Sequence, residues 1–310
     1  MEGRRRIWLI IGTGVAVAAM AAALASQRHL IGYLQHVRPG TAAALIAIVL
    51  LFHVSNGILL RAVASKFGVV LTAREWLGLP FVTAMGNYLT PFAGGMLARA
   101  SYLKLRHSFP YAKFVSVIAA TYLIYSWVAG AAGIAAVVLT AEKPGLSGKL
   151  IFFFAAMLLI LSSCALIPAF RFPGENSLIR FLNSAFEGWI LIRRDLPLLI
   201  RFVLYTLATI LLGGIAFWLA FGALSESPVP FGVPFIISIF SSLSIFIRVT
   251  PGNLGVSEAV TTLASELLGM GAGIGFMASL LVRAVSLLPI FTLGPLFSVL
   301  LARELRGDKP

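Results

Sequence analysis

Three arginines carry the chemistry this sequence offers. Arg283 interrupts the last apolar stretch. Arg248 leads into Thr250-Pro251-Gly252-Asn253-Leu254-Gly255, with Glu258 just beyond. Arg99 follows Asn87-Tyr88-Leu89-Thr90-Pro91-Phe92-Ala93-Gly94-Gly95. Placing an arginine near the centre of a bilayer costs about 2.5–3.5 kcal/mol on insertion scales, so such a residue faces a cavity or a partner. Guanidinium forks match phosphate oxygens, and helix N-termini add positive potential. The pattern points to an anion site in which Arg248 and Arg283 hold a phosphate and Arg99 stands at its cytoplasmic entrance. Asn87, Thr90, Thr250 and Asn253 would offer hydrogen bonds around Pro91, Pro251 and Gly252. Glu258 would neutralise an arginine between substrates or carry a coupling proton. The competing reading is that Arg248 or Arg283 pairs permanently with Glu258 and only holds the fold together.

Other polar residues read more plainly. His53 and Asn56 lie about one helical turn apart and suit interhelical hydrogen bonding, with a proton relay as the alternative. Gly130, Gly133, Gly213 and Gly214 permit close helix contact. The single cysteine, Cys164, allows no intrachain disulfide and belongs to no metal-ligand cluster. Gly145-Leu146-Ser147-Gly148-Lys149 lacks Walker spacing, and Gly271-Ala272-Gly273-Ile274-Gly275 follows no strand. No enzyme signature and no cofactor motif emerges.

The elements that position these residues are set by composition. The chain has 310 residues, of which 59% are hydrophobic and 11% charged. Soluble domains are about 45–50% apolar and about 25% charged. A soluble globular protein and a disordered chain are both excluded, and the expected fold is an all-α polytopic membrane protein. The net charge of +13 fits basic cytoplasmic loops facing anionic headgroups better than it fits nucleic acid.

Apolar runs of about 20 residues, the length that crosses a bilayer core, cover 7–27, 39–60, 114–140, 150–170, 202–225 and, if Arg283 is tolerated within it, 275–301. Two further runs are broken. Run 76–98 contains Pro80, Gly86, Pro91, Gly94 and Gly95, and run 227–247 leads into the Thr250-Pro251 break. Each break has Thr-Pro with glycines behind it and an asparagine nearby. Broken segments at matching places in two halves point to an inverted-repeat transporter. The expectation is one transmembrane domain over 1–310, with repeat halves 1–149 and 150–310. It would hold six full spans plus two oppositely oriented re-entrant helix–break–helix elements, with eight full spans as the alternative. Segments 66–79 and 174–196 read as amphipathic interfacial helices. Segment 61–113 carries seven basic residues against one acidic, Glu75. The positive-inside rule then places both termini in the cytoplasm.

The two broken motifs together resemble the lysylphosphatidylglycerol synthase transmembrane-region family. The more specific of them is the arginine leading into Pro251-Gly252-Asn253-Leu254-Gly255-Val256-Ser257-Glu258. The family includes the membrane half of the multiple peptide resistance factor, which is thought to flip aminoacylated phosphatidylglycerol, and short stand-alone proteins like this chain. The resemblance implies a multi-pass protein of the cell (inner) membrane that moves an anionic phospholipid or a lipid-linked phosphate between leaflets. Without the soluble aminoacyl-transfer domain, lysyl transfer is not implied. A non-transporting accessory protein that binds a lipid or a lipid-modifying enzyme is the alternative. A homodimer is compatible with either.

Overall fold

The computed structural model describes residues 37–140, 144–166, 172–174, 176–247 and 249–306. The expected first span at 7–27 and the site candidate Arg248 lie outside the described residues. Ten α-helices and no strand occur among the described residues.

Helix α1 (Pro39–Lys66) starts with a proline in its first turn, where a missing N–H costs nothing. It ends at a turn in which Gly68 takes φ +79°. Residues 66–79 do not form the one interfacial helix expected from their pattern. The chain turns and restarts at Thr72, whose hydroxyl accepts the Glu75 N–H at 3.2 Å while the Glu75 carboxylate accepts the Thr72 N–H at 2.8 Å. This capping box fixes the start of α2 (Ala73–Leu89). Pro91 disfavours helical geometry at Thr90 and ends α2. Phe92 and Ala93 follow with φ of +53° and +54°, and α3 (Gly94–His107) leads back.

Helices α2 and α3 form a hairpin because small residues line their seam. A side chain at Gly95 would stand 2.0 Å from the Thr83 carbonyl, and one at Gly86 would meet the Gly95 Cα at 2.7 Å. Beyond the hairpin come α4 (Tyr111–Thr140), α5 (Pro144–Leu166), α6 (Ser177–Arg193) and α7 (Leu196–Leu224). Helix α6 realises the amphipathic segment read at 174–196, and Gly188 packs it against Ser116 of α4. The second broken element comprises α8 (Gly232–Leu243), two 3-10 turns at Ser244–Phe246 and Pro251–Asn253, and α9 (Val256–Leu267). Helix α10 (Ala272–Arg306) closes the chain. At 35 residues it is about 52 Å long.

Element order repeats: a long helix, a helical hairpin and a long helix occur as α1–α4 and again as α7–α10. Lys66 at the end of α1 pairs with Asp195 at the start of α7, N to O 2.5 Å. Tyr102 of α3 reaches Glu304 near the end of α10. Lys66, Glu75, His107, Asp195 and Glu304 therefore mark one end of the bundle. Gly232 packs on Thr140, which places the open end of the second hairpin at the other end. The two hairpins open in opposite directions, and their tips meet partway along α10. Four helices are long and apolar enough to cross a membrane: Pro39–Lys66, Tyr111–Thr140, Leu196–Leu224 and Ala272–Leu305. The span expected at 150–170 is not among these four: within Pro144–Leu166 the apolar helical stretch runs Ser147–Ile160, shorter than a membrane crossing, and 167–170 lie outside the described residues. Gly133 accommodates the Phe154 ring and Gly214 that of Phe235, as expected of close-contact glycines. Gly213 differs: nothing lies within 4 Å of its would-be side chain.

Candidate functional site

The second break is held by Arg283. Its Nε donates to the Glu258 Oε1 at 2.5 Å, its Nη1 to the Gly252 carbonyl at 2.8 Å, and its Nη2 to the Ser257 hydroxyl at 2.6 Å. The Asn253 carbonyl lies 3.5 Å from Nη2. Glu258 is buried and its other oxygen accepts the Gly255 N–H at 2.7 Å, capping α9. An arginine reaching across from α10 thus supplies donors that the interrupted helix lacks, and a carboxylate matches its charge. A buried guanidinium is tolerable only when so satisfied. Of the two sequence readings, the geometry of Arg283 is that of the ion pair.

Arg99 is placed differently. Its Nε donates to the Thr83 hydroxyl at 2.8 Å and its Nη2 to the Asn56 side-chain oxygen at 3.3 Å. Asn56 in turn donates from Nδ2 to the Tyr205 hydroxyl at 2.9 Å. Among the described residues no carboxylate lies within ion-pair distance of Arg99. Its remaining N–H groups border a cavity of about 500 Å³ lined by α1, α2, α3, α4, α7, α8 and α10 and by the second break. Asn87, Thr250, Gly252 and Asn253 lie on the cavity wall with it. The side-chain oxygens of Asn87 and Asn253, one on each hairpin tip, are buried with no hydrogen-bond partner among the described residues.

A smaller pocket of about 260 Å³ borders the Arg283–Glu258 pair and carries Ser241, Ser242, Ser244, Ser257, Ser279 and Ser286. Tyr88, Gly252 and Asn253 belong to both walls. A side chain at Gly252, whose φ is +58°, would stand 2.3 Å from the Tyr88 ring. Arg283 lies over that ring at 5.7 Å. The tips therefore touch through Tyr88 and Gly252.

Three candidates fall away from the cavity. Thr90 is exposed, and its hydroxyl bonds back to the Gly86 carbonyl at 2.6 Å. Pro91 and Pro251 shape the tips but line neither cavity. Thr250 lies on the wall with its hydroxyl donated to the Leu254 carbonyl.

Thr83 and Tyr205 were not singled out from the sequence. One signal for Thr83 was present. In a hairpin, residues equally far from the tip meet. Thr83 and Arg99 stand equally far from Pro91, 16 residues apart, as do Glu75 and His107, 32 apart. Nothing in the sequence around Tyr205 marks it.

No curated protein and no solved structure matches this chain. The family model described as the lysylphosphatidylglycerol synthase TM region matches residues 9–294. That span takes in both hairpins, Arg99, Arg283 and Glu258, and the chain belongs to this family of membrane proteins.

Proposed function

We propose that the protein moves an anionic phospholipid between leaflets, with the lipid phosphate bound at Arg99 between two re-entrant hairpins. The observation that carries this reading is the contrast between two arginines of one fold. Arg283 spends its donors on Glu258 and on backbone of the second break. Arg99 keeps free donors and an unmatched charge facing a cavity large enough for a headgroup. An unmatched guanidinium in an apolar bundle is costly unless an anion meets it. Acyl chains would stay in lipid while the headgroup crosses, and the hairpins, opening at opposite ends, would act as the moving halves. The end bearing Lys66, His107 and the chain's C-terminal helix would face the cytoplasm. With no nucleotide motif in the sequence, the driving force would be a gradient or the lipid's own.

Reconstitution tests this. In phosphatidylcholine vesicles doped with a fluorescent phosphatidylglycerol, outer-leaflet label is bleached by a membrane-impermeant reductant. The wild-type protein should make the inner-leaflet label accessible faster than empty vesicles do. Binding of the lipid with no acceleration would favour the accessory reading instead.

A further inference from the structure

Asn56 is the residue that decides whether Arg99 is available. Its amide orientation is fixed by two different partners. Nδ2 donates to the Tyr205 hydroxyl and Oδ1 accepts from the Arg99 Nη2. A flipped amide would press N–H groups against a guanidinium. The arginine is thus held in place by a dipole and not by a charge. Within the same fold, Glu258 holds Arg283 through a full carboxylate. The residue type at each position separates a structural arginine from one whose charge remains unspent.

Tyr205 completes the arrangement. Its oxygen accepts from Asn56, so its own hydrogen points elsewhere. Among the described residues that hydroxyl donates to no partner. Tyr205 and Arg99 line the same cavity. A hydroxyl polarised by a donor on its oxygen becomes a better donor itself. Thr83, buried and donating to the Leu79 carbonyl at 2.6 Å, presents its oxygen to Arg99 Nε and fixes the far edge of the guanidinium.

We infer that Asn56 is a positioning residue that keeps Arg99 uncompensated, and that the Tyr205 hydroxyl is a second donor to the bound phosphate. This rests on the proposed anion site at Arg99 and adds to it the two residues that set its charge and its geometry. It predicts that Asn56→Asp weakens binding with no loss of stability. The near-isosteric carboxylate would keep the contact to Arg99, strengthen it to an ion pair, and remove the charge from the cavity.

The test measures binding of dihexanoyl-phosphatidylglycerol to the full-length protein, with its thermal midpoint in the absence of that lipid. Asn56→Asp should weaken binding by roughly tenfold or more while leaving the lipid-free midpoint equal or higher. Tyr205→Phe should weaken binding by roughly three- to tenfold, the worth of one hydrogen bond to a charged group, with the midpoint little changed. Wild-type affinity in Asn56→Asp would overturn the inference. So would a loss of binding accompanied by an equal loss of stability, which would make Asn56 structural. Wild-type affinity in Tyr205→Phe would remove its donor role. The parent reading fails separately: it falls if the wild-type protein does not bind the probe, or if Arg99→Ala binds it equally well.

Discussion

At the residue scale, two arginines of identical chemistry take opposite roles because of what faces them. Arg283 is 11% exposed and Glu258 3% exposed at the side chain. Removing one member of a buried pair strands the other and costs about 3–5 kcal/mol. Glu258→Gln and Arg283→Gln should each lower the thermal midpoint sharply, and the double variant should lose less than the sum of the two. Additive losses in such a cycle would show that the pair does not couple. The sequence made the cost of Arg283 legible and left its partner open between an anion and Glu258. The arbiter is the path of α10, which carries Arg283 past the second tip. The role of Arg99 was harder to rank, because beyond Thr83 in its own hairpin it meets Asn56 of α1, which in turn meets Tyr205 of α7. Long-range contacts of that kind leave no periodic trace. Thr90 stands off the cavity wall, and for a local reason its hydroxyl is occupied: a threonine at a helix end satisfies it on the carbonyl four residues back.

At the element scale, the hairpins rest on close backbone approach and on end clasps. Gly95→Ala forces Cβ against the Thr83 carbonyl, a backbone atom that cannot swing aside. It should destabilise the protein by about 1–3 kcal/mol. Gly213→Ala meets open space within α7 and should stabilise by roughly 0.5–1 kcal/mol through helix propensity. Thermal melts of the two variants moving in the same direction would contradict the hairpin seam. The clasp is Glu75, which is fully buried and accepts from Tyr102 at 2.9 Å and meets His107 Nε2 at 2.7 Å. Burial pushes its carboxyl upward. The Thr72 N–H and the hydrogen bonds from His107 and Tyr102 outweigh burial and hold it below the usual range. Its stabilisation is therefore complete above the ordinary carboxylate value of about 4.3 and is lost as pH falls through its lower folded value. Glu75→Gln should lower the midpoint at neutral pH and flatten its decline in acid. An acid limb identical to wild type would remove Glu75 from the clasp. Both breaks were legible from Thr-Pro and the glycines. The start of α2 was not, because the capping box overrode an amphipathic pattern that ran across Gly68.

At the scale of the whole molecule, the repeated order of long helix, hairpin and long helix lies in the second element of each half, where the sequence showed matching breaks. Opposed opening of the hairpins follows from the parity of the helices around them. The same charge pattern predicts that both termini lie in the cytoplasm, checked by a reporter fused after Pro310 that is active only on the cytoplasmic side. A reporter active only outside would invert the orientation. What composition could not convey is the cavity, which exists because seven helices leave a gap beside Arg99 rather than because any one stretch is polar. The most direct measurement is the rate of fluorescent phosphatidylglycerol movement in vesicles containing Arg99→Ala, Arg99→Lys or wild-type protein, each shown to be folded by its thermal midpoint. Arg99→Ala should fall toward the empty-vesicle rate. Arg99→Lys, which keeps the charge without the fork, should recover part of it. Wild-type rates in a folded Arg99→Ala protein would contradict the proposed role of Arg99.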